Sequence, residues 1–400
     1  MRDVLKGIKV VDLTQIGAGP TCTMLLGDFG AEVVKVEPLS GDIGRALGPP
    51  WYSDQSPIHI GFNRGKKSIA VDLKQEEGAA LVRRLADQAD ILVESFRPGT
   101  LDKFGLGPAQ LEQDHPGLIY CSVSGYGQTG PFAFHPGVDG IMQAASGLMG
   151  LIGTAESGPM KVQAPIVDVF TGYVAALGCM TALIERSKTG KGRHIDASLF
   201  GSAVALQQSA VTAYLGDPVQ PAKLGSAAPY SAPNEAYPTA DGWIMIAAYM
   251  VKHWPRFCSV IGRPDLTDDI RFANSADRVV NRLELFAQVA AAMKTRTTDE
   301  WLPLLEAQDI LCSRVAGYED VIAHEQTQFS RLIATMEHSS LGSLKTPGNP
   351  VNARQMNAAP FAPPPLLGEH TRSILADLGL DAGSIDDLLK RAIVSADAGR

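Results

Sequence analysis

The residue with the most chemical promise is Asp168, which heads the long apolar run APIVDVFTGYVAALGCM, Ala164 to Met180. An ionised carboxylate in apolar surroundings is rare unless it is paired or used. The plainer role for an Asp at a helix start is to cap it. A second candidate is the glycine-rich stretch Ser124 to Gly153, SGYGQTGPFAFHPGVDGIMQAASGLMGLIG. Its glycines let backbone approach a ligand, and successive free amides there can cradle developing negative charge; an ordinary surface loop has the same composition. Third, Gly17-x-Gly19 follows an apolar run, with Glu37 twenty residues beyond Gly17. That spacing imitates the dinucleotide fingerprint, in which glycines admit a pyrophosphate and the acid binds a ribose. Cys22 stands where the third glycine belongs, so a tight strand-to-helix turn explains the pair as well. His194 and Asp196 read as polar groups of a strand or turn. The eight histidines show no HxxxH or HExxH spacing and the five cysteines no CxxC pair, so a metal site has no support.

These groups need elements to position them. Val169, Phe170, Tyr173, Val174, Leu177, Met180, Leu183 and Ile184 are apolar nearly all round, which predicts a buried helix. Pro165 and Asp168 mark its start; Glu185, Arg186 and Lys188 followed by Gly190 mark its end. Upstream, strand-like and helix-like segments alternate. Strands are expected at Ile8 to Leu13, Ala31 to Glu37, Ser68 to Leu73, Ile91 to Ser95, Leu118 to Ser124 and His194 to Phe200. This order predicts an α/β fold with a mostly parallel sheet covered on both faces, whose ligands sit at the carboxyl ends of the strands. Two Pro-rich stretches, Gly216 to Gly242 and Thr346 to His370, read as long crossing segments around a smaller unit.

Composition bounds the partners. Four hundred residues with 45% hydrophobic content can bury a large core. A net charge of −8 argues against nucleic acid as a partner. A local cluster such as Arg64-Gly65-Lys66-Lys67 could still grip one small anion. The N-terminus lacks the pattern of a signal peptide, and no run approaches about 18 uninterrupted apolar residues, so a cytoplasmic protein without a membrane partner is expected. Cys22, Cys121, Cys179, Cys258 and Cys312 are odd in number and set among apolar neighbours, as reduced core thiols would be.

Six stretches occur in an order that resembles the family III CoA-transferases, with relatives among the formyl-CoA and carnitine CoA-transferases and the 2-methylacyl-CoA racemases. They are DLTQIGAGPTCTMLLGDFGAEVVKVEPLSGD, FNRGKKSIAVDLK, ESFRPGTLDKFGLG, SVSGYGQTGP, IVDVFTG and YPTADGWIMIA, and together they span essentially the whole chain. The resemblance implies a nucleotide-binding, Rossmann-like large domain built from both chain ends, a smaller α+β domain and an interlocked homodimer. On that reading 1–215 begins the large CoA-binding domain, 216–242 is a linker, 243–330 is the small domain, 331–370 is a second linker and 371–400 returns to the large domain. It also implies that Asp168 is the nucleophile, that no cofactor is tightly bound, and that CoA enters as a substrate with a carboxylic acid. The CoA contacts would be Ile16, Gly17, Ala18, Val71, Asp72, Leu73, Lys74, Phe96, Arg97, Lys103, Gly137, Val138, Asp139 and Gly140. Arg97 and Lys103, with Lys66 or Lys67, are candidates for the phosphates, and Arg45 for the acid substrate.

Two departures matter. Gly17 stands where the formyl-CoA branch has a glutamine, and the small domain lacks that branch's glycine-rich lid, which argues against oxalate and formate as the pair. Val138-Asp139 stands where the racemase branch has a histidine before its aspartate, and His135 lies three positions away. The reaction expected is transfer of CoA from an acyl-CoA, succinyl-CoA being one candidate, through an aspartyl-CoA thioester. The alternatives are a 2-methylacyl-CoA racemase, an NAD-dependent oxidoreductase built on Gly17, Gly19 and Glu37, and a non-catalytic CoA-binding protein in which Asp168 only caps its helix.

Overall fold

The computed structural model describes residues 1–53 and 55–396. Its strands are β1 (Lys9–Leu13), β2 (Glu32–Glu37), β3 (Lys67–Val71), β4 (Ile91–Glu94), β5 (Ile119–Ser124), β6 (His194–Ser198), β7 (Asn234–Pro238), β8 (Trp243–Ala247), β9 (Leu311–Arg314), β10 (Ile333–His338), β11 (Gly342–Pro347) and β12 (Val394–Ser395). The helices that matter below are α1 (Ala18–Asp28), α2 (Glu76–Asp87), α3 (Asp139–Ala145), α4 (Ile166–Thr189), α5 (Leu199–Leu206), α6 (His253–Val260), α7 (Arg282–Met293), α8 (Thr298–Glu306), α9 (Thr371–Asp377) and α10 (Ala382–Lys390). The chain divides into two compact units. The first holds Met1–Met149, Lys161–Val219 and the chain from Glu325 onward, the second Gly150–Met160 and Gln220–His324.

The first unit is built on a sheet of order β12-β3-β2-β1-β4-β5-β6. β1 to β6 run parallel and β12 pairs antiparallel with β3, Val394 facing Val71. The central strands VVDL, ILVE and IYCSVS are buried throughout, as strands covered on both faces must be. One face carries α2, α9 and α10 through Leu81, Val82, Leu85, Ile374, Leu375 and Leu388. The other carries α1, α4 and α5 through Cys22, Leu25, Val167, Ala175, Cys179 and Ala203. Strand succession reverses between β1 and β4, and in open α/β sheets the crevice outside the carboxyl ends at such a point is where ligands bind.

α4 differs from the expectation at both its start and its surface. It begins at Ile166 behind Pro165, which places Asp168 in the first turn rather than at the N-cap. Val167, Thr171, Ala175, Cys179 and Ala182 are buried, whereas Leu177 and Ile184 are 62% and 60% exposed. α4 is also long and apolar enough to cross a membrane by length and composition alone, and 39% of its apolar window is buried within the chain; one such helix is weak evidence for a span. Gly172 lets α4 seat on α1: a Cβ there would lie 2.5 Å from the Thr21 Cβ and 2.7 Å from the Ala18 carbonyl oxygen.

The second unit is an antiparallel sheet, β7-β8-β9, packed with α6, α7 and α8 around Trp254, Phe257, Leu285 and Trp301. Its buried Arg278 makes no ion pair among the described residues and donates to the carbonyls of Ala232, Phe272 and Tyr249. Both stretches expected to be linkers carry strands. β7 lies within 216–242, and the β10–β11 hairpin lies within 331–370. In β7, Asn234, Ala236 and Pro238 alternate with the more deeply buried Glu235 and Tyr237, a period-two pattern that the surrounding Pro, Ala and Ser obscure. Of the segment 371–400, residues 397–400 lie outside the described residues.

Candidate active site

A cleft of about 540 Å³ opens at the carboxyl ends of β1, β4 and β5. Buried charge beneath it holds the loop after β1, whose residues Gln15 to Gly19 line the cleft. Asp12, at the end of β1, accepts from Lys66 Nζ at 2.9 Å, from the Thr14 amide at 2.9 Å and from Thr23 Oγ1 at 2.7 Å. Burial works to raise the Asp12 carboxyl, but Lys66 and Lys35 outweigh it and hold it well below the usual carboxylate range. Lys35 donates to the Thr14 carbonyl at 2.8 Å and pairs with Asp42 at 2.9 Å. Asp42 in turn accepts the Ile16 amide at 3.0 Å. Ile16 has φ +67, a left-handed conformation that is strained for a β-branched residue, and this hydrogen bond helps to hold it there. The Gln15 amide donates to Ser95 Oγ at 3.1 Å, tying the loop after β1 to the loop after β4.

The strained turn delivers Gly17 beneath Asp168. A Cβ on residue 17 would stand 2.6 Å from Asp168 Oδ2, so only glycine leaves the carboxylate its space. Gly19 is required for another local reason, since a Cβ there would lie 2.4 Å from Thr14. The two glycines read as a nucleotide fingerprint thus serve the Asp168 contact and a strand-to-helix turn. Glu37, the expected ribose acid, is buried and occupied: it takes Arg45 through both oxygens at 2.7 Å, Ser68 Oγ at 2.7 Å and the Asp42 amide at 3.0 Å.

Asp168 is not the cap of its helix. That role falls to Asp139, whose Oδ1 accepts the Val167 amide at 2.8 Å and the Asp168 amide at 3.3 Å. Gln143 donates to the other Asp139 oxygen at 2.6 Å. The Asp168 carboxylate has no hydrogen bond or ion pair among the described residues. Burial first, and the neighbouring Asp139 carboxylate second, push it up to about 7, against the pull of the helix N-terminus. A half-buried carboxylate without a partner, facing a cleft, is poised to react with a bound group.

Of the residues expected to contact CoA, the cleft brings together Ile16, Gly17, Ala18, Phe96, Gly137, Val138, Asp139 and Gly140. Gly125 and Gly137 cross closely on its wall, a Cβ on Gly137 falling 2.8 Å from the Gly125 Cα. Val71, Asp72, Leu73, Lys74, Arg97 and Lys103 lie outside the cleft lining. Val71 is buried in the sheet, and the Asp72 amide is spent on the Ile393 carbonyl. Lys74, Arg97 and Lys103 are exposed after β3 and β4, with no ion pair among the described residues.

Arg45 does not face the cleft as an acid-binding cation. Its guanidinium is held by Glu37 and the Pro365 carbonyl. Lys66 is likewise spent, buried against Asp12, and Lys67 pairs with Glu32. Residues missed by the sequence reading are Gln15, Ser95, Lys161 and Gln163, which line the cleft, and Asp139 in its capping role. One signal was available: Lys161 is the only Lys or Arg between Ser124 and Asp168.

Comparison with known proteins places the chain in a family. The model of CoA-transferase family III matches residues 5–371. A succinyl-CoA:glutarate CoA-transferase of Mus musculus is 37% identical over 98% of this chain and 90% of its own. A succinyl-CoA:mesaconate CoA-transferase of Haloarcula marismortui is 33% identical over 95% and 98%. The crystal structure of a CAIB/BAIF family protein from Brucella suis superposes with a TM-score of 0.83 at 34% identity, covering 94% of this chain and 99% of that one. With residues 5–371 matched by the family model and 98% of the chain by a named CoA-transferase, the chain belongs to CoA-transferase family III and is a CoA-transferase.

Proposed function

We propose that this enzyme moves CoA from an acyl-CoA, with succinyl-CoA the favoured donor, to a free carboxylic acid, and that Asp168 carries the CoA between them. The observation that carries the reading is the unpartnered Asp168 carboxylate over Gly17 in the β1–β4–β5 cleft. Its oxygen attacks the thioester carbonyl, the C–S bond breaks, and CoA leaves as thiolate from a mixed anhydride. The thiolate then attacks the aspartyl carbonyl, freeing the first acid and leaving an aspartyl-CoA thioester. The acceptor carboxylate repeats these steps in reverse, and Asp168 is regenerated with no net change in protons or electrons. Holding the partners in one cleft makes each attack effectively unimolecular.

Several features support the remaining parts of this reading. The strand order β3-β2-β1-β4-β5-β6 is that of a Rossmann-like nucleotide fold, which suits the adenine nucleotide of CoA. Lys74, Arg97 and Lys103 are exposed cations at the strand ends, free for its phosphates. The apolar face of α4 around Leu177 and Ile184 suits cover by a second copy in a homodimer. Five free cysteines fit a reducing, cytoplasmic setting. The succinyl-CoA donor is supported by what both relatives are named for. The racemase alternative is weakened because the histidine expected to act as its second acid/base has no counterpart among the described residues that line the cleft.

The test is intact-protein mass spectrometry after incubation with succinyl-CoA and hydroxylamine trapping, on wild type and Asp168→Asn. Modification of Asp168 in the wild type alone is the expected result. No adduct, together with exchange of the substrate's α-hydrogen with deuterated solvent, overturns the transferase route in favour of the racemase.

A further inference from the structure

The charge lining the cleft is unbalanced. Asp139 and Asp168 supply two carboxylates, and Lys161 is the one cation among the described residues that line it. Neither carboxylate is ion-paired with Lys161, whose Nζ makes no hydrogen bond or ion pair among the described residues. Its charge is therefore available to a ligand.

The position of Lys161 is built rather than incidental. Gln143, fully buried, accepts the Val162 amide at 2.9 Å and donates to the Val162 carbonyl at 3.1 Å. The same Gln143 amide donates to Asp139. One buried side chain thus ties the backbone next to Lys161 to the aspartate that caps the Asp168 helix. The Lys161 side chain crosses above Gly140, where a Cβ would lie 3.7 Å from its Cδ and 3.9 Å from its Nζ.

We infer that Lys161 selects the acid substrate, binding the remote carboxylate of a dicarboxylic acid whose other carboxyl group reacts at Asp168. The inference rests on the transferase chemistry proposed above. In that chemistry the reacting carboxylate of the acid gives up its charge as it becomes an anhydride and then a thioester. A remote carboxylate keeps its charge throughout and would enter a cleft that already holds two carboxylates. A lone cation at the rim offsets that repulsion for a diacid and does nothing for a monoacid, which is the condition for discrimination.

The experiment compares glutarate with valerate, the monoacid of equal length, using one common acyl-CoA donor and the wild type, Lys161→Met and Lys161→Arg. The wild type is expected to favour the diacid. Lys161→Met should lower the diacid-to-monoacid ratio of kcat/KM by about 10- to 100-fold, the loss of one charge-assisted hydrogen bond, and Lys161→Arg should restore most of it. An equal loss for both acids, or a rise confined to the KM of the acyl-CoA, overturns the inference and places Lys161 on CoA instead. If the wild type forms the Asp168 adduct yet does not prefer the diacid, the Lys161 assignment fails alone. If it forms no adduct and serves neither acid, the transferase reading fails and the inference goes with it.

Discussion

The Asp139 carboxylate closes the N-terminus of the helix that carries Asp168, accepting the Asp168 amide itself at 3.3 Å and the Val167 amide at 2.8 Å. One acid therefore does two things to the other. It fixes the backbone from which Asp168 projects, and its charge opposes ionisation of the Asp168 carboxyl.

Those two effects separate on substitution. Asp139→Asn keeps an oxygen for the helix amides and removes the charge, so the Asp168 pKa should fall and the acid limb of the kcat/KM profile should move to lower pH. Asp139→Ala loses the cap as well and should cost about 1–2 kcal/mol of stability. Paired pH–rate profiles and denaturant titrations check both. An unmoved acid limb in Asp139→Asn would show that the two carboxylates are not electrostatically coupled.

Asp168 should make activity and stability respond to pH in opposite directions. Its folded value of about 7 lies above the ordinary 3.8, so between those limits the folded state holds a proton that the unfolded chain has released. The native state binds more protons, and stability falls as pH rises through that window, levelling off above about 7. The nucleophile is ionised only at the upper end, so kcat/KM rises over the same range. Asp168→Asn should be inactive yet more stable than wild type at pH 8, by about 1–3 kcal/mol, with the difference shrinking toward pH 4. A constant difference across that range, measured by chemical denaturation, would contradict the assignment.

Gly17→Ala should disable the site with little effect on the fold. The added Cβ would meet Asp168 Oδ2 at 2.6 Å, and the far end of a side chain can swing away at a cost of about 1–3 kcal/mol. Swinging away displaces the nucleophile, and such misplacement costs about 100-fold in rate. The expected pattern is a native circular dichroism spectrum with adduct formation slowed by that factor; wild-type adduct kinetics would mean that Asp168 does not react from this rotamer.

The contrast between Gly17 and Arg45 shows what the sequence could and could not reveal. The parallel sheet was legible because β1, β4 and β5 are short, mostly apolar runs that alternate with helical segments, and Asp168 was legible because it is a carboxylate at the head of the long apolar run that forms α4. The reason for Gly17 was not, since its partner lies far along the chain on another helix, and the local pattern imitated a nucleotide loop. Arg45 read as a cation for the acid substrate and Glu37, separately, as a ribose acid; nothing local shows that they pair, and their bidentate contact at 2.7 Å occupies both. β7 was hidden in its Pro-rich surroundings, where composition outweighs a five-residue alternation. The capping role of Asp139 depends on a tertiary contact that no local pattern encodes.

The Asp12–Lys66 pair should be a major support of the β1 loop. Both groups are buried, and Asp12 also holds Thr14 and Thr23. Removing one partner strands the other charge, so Asp12→Asn or Lys66→Met should each cost about 3–5 kcal/mol, and the double variant should cost less than the sum of the two. Because the folded Asp12 carboxyl lies below its ordinary 3.8, its contribution is present above that pH and is lost as pH falls further. Urea midpoints of the wild type should therefore drop on acidification below pH 4, and those of Asp12→Asn should drop less. Equal slopes would remove Asp12 from the acid transition.

The exposed face of α4 makes the proposed homodimer testable without reference to catalysis. Leu177 and Ile184 are seven residues apart, two helical turns on one side, and each leaves about three fifths of its surface uncovered. If a second copy covers them, Leu177→Glu with Ile184→Glu puts two unpaired carboxylates into that contact. At about 2 kcal/mol or more each, self-association should weaken by at least about 100-fold. The helix itself should tolerate the change, because Glu is a good helix former and the buried stripe from Val167 to Ala182 is untouched. Sedimentation velocity should then show a dimer for the wild type and monomer for the variant at low micromolar concentration. A dimer in both would move the interface away from α4 and leave its apolar stripe to another partner.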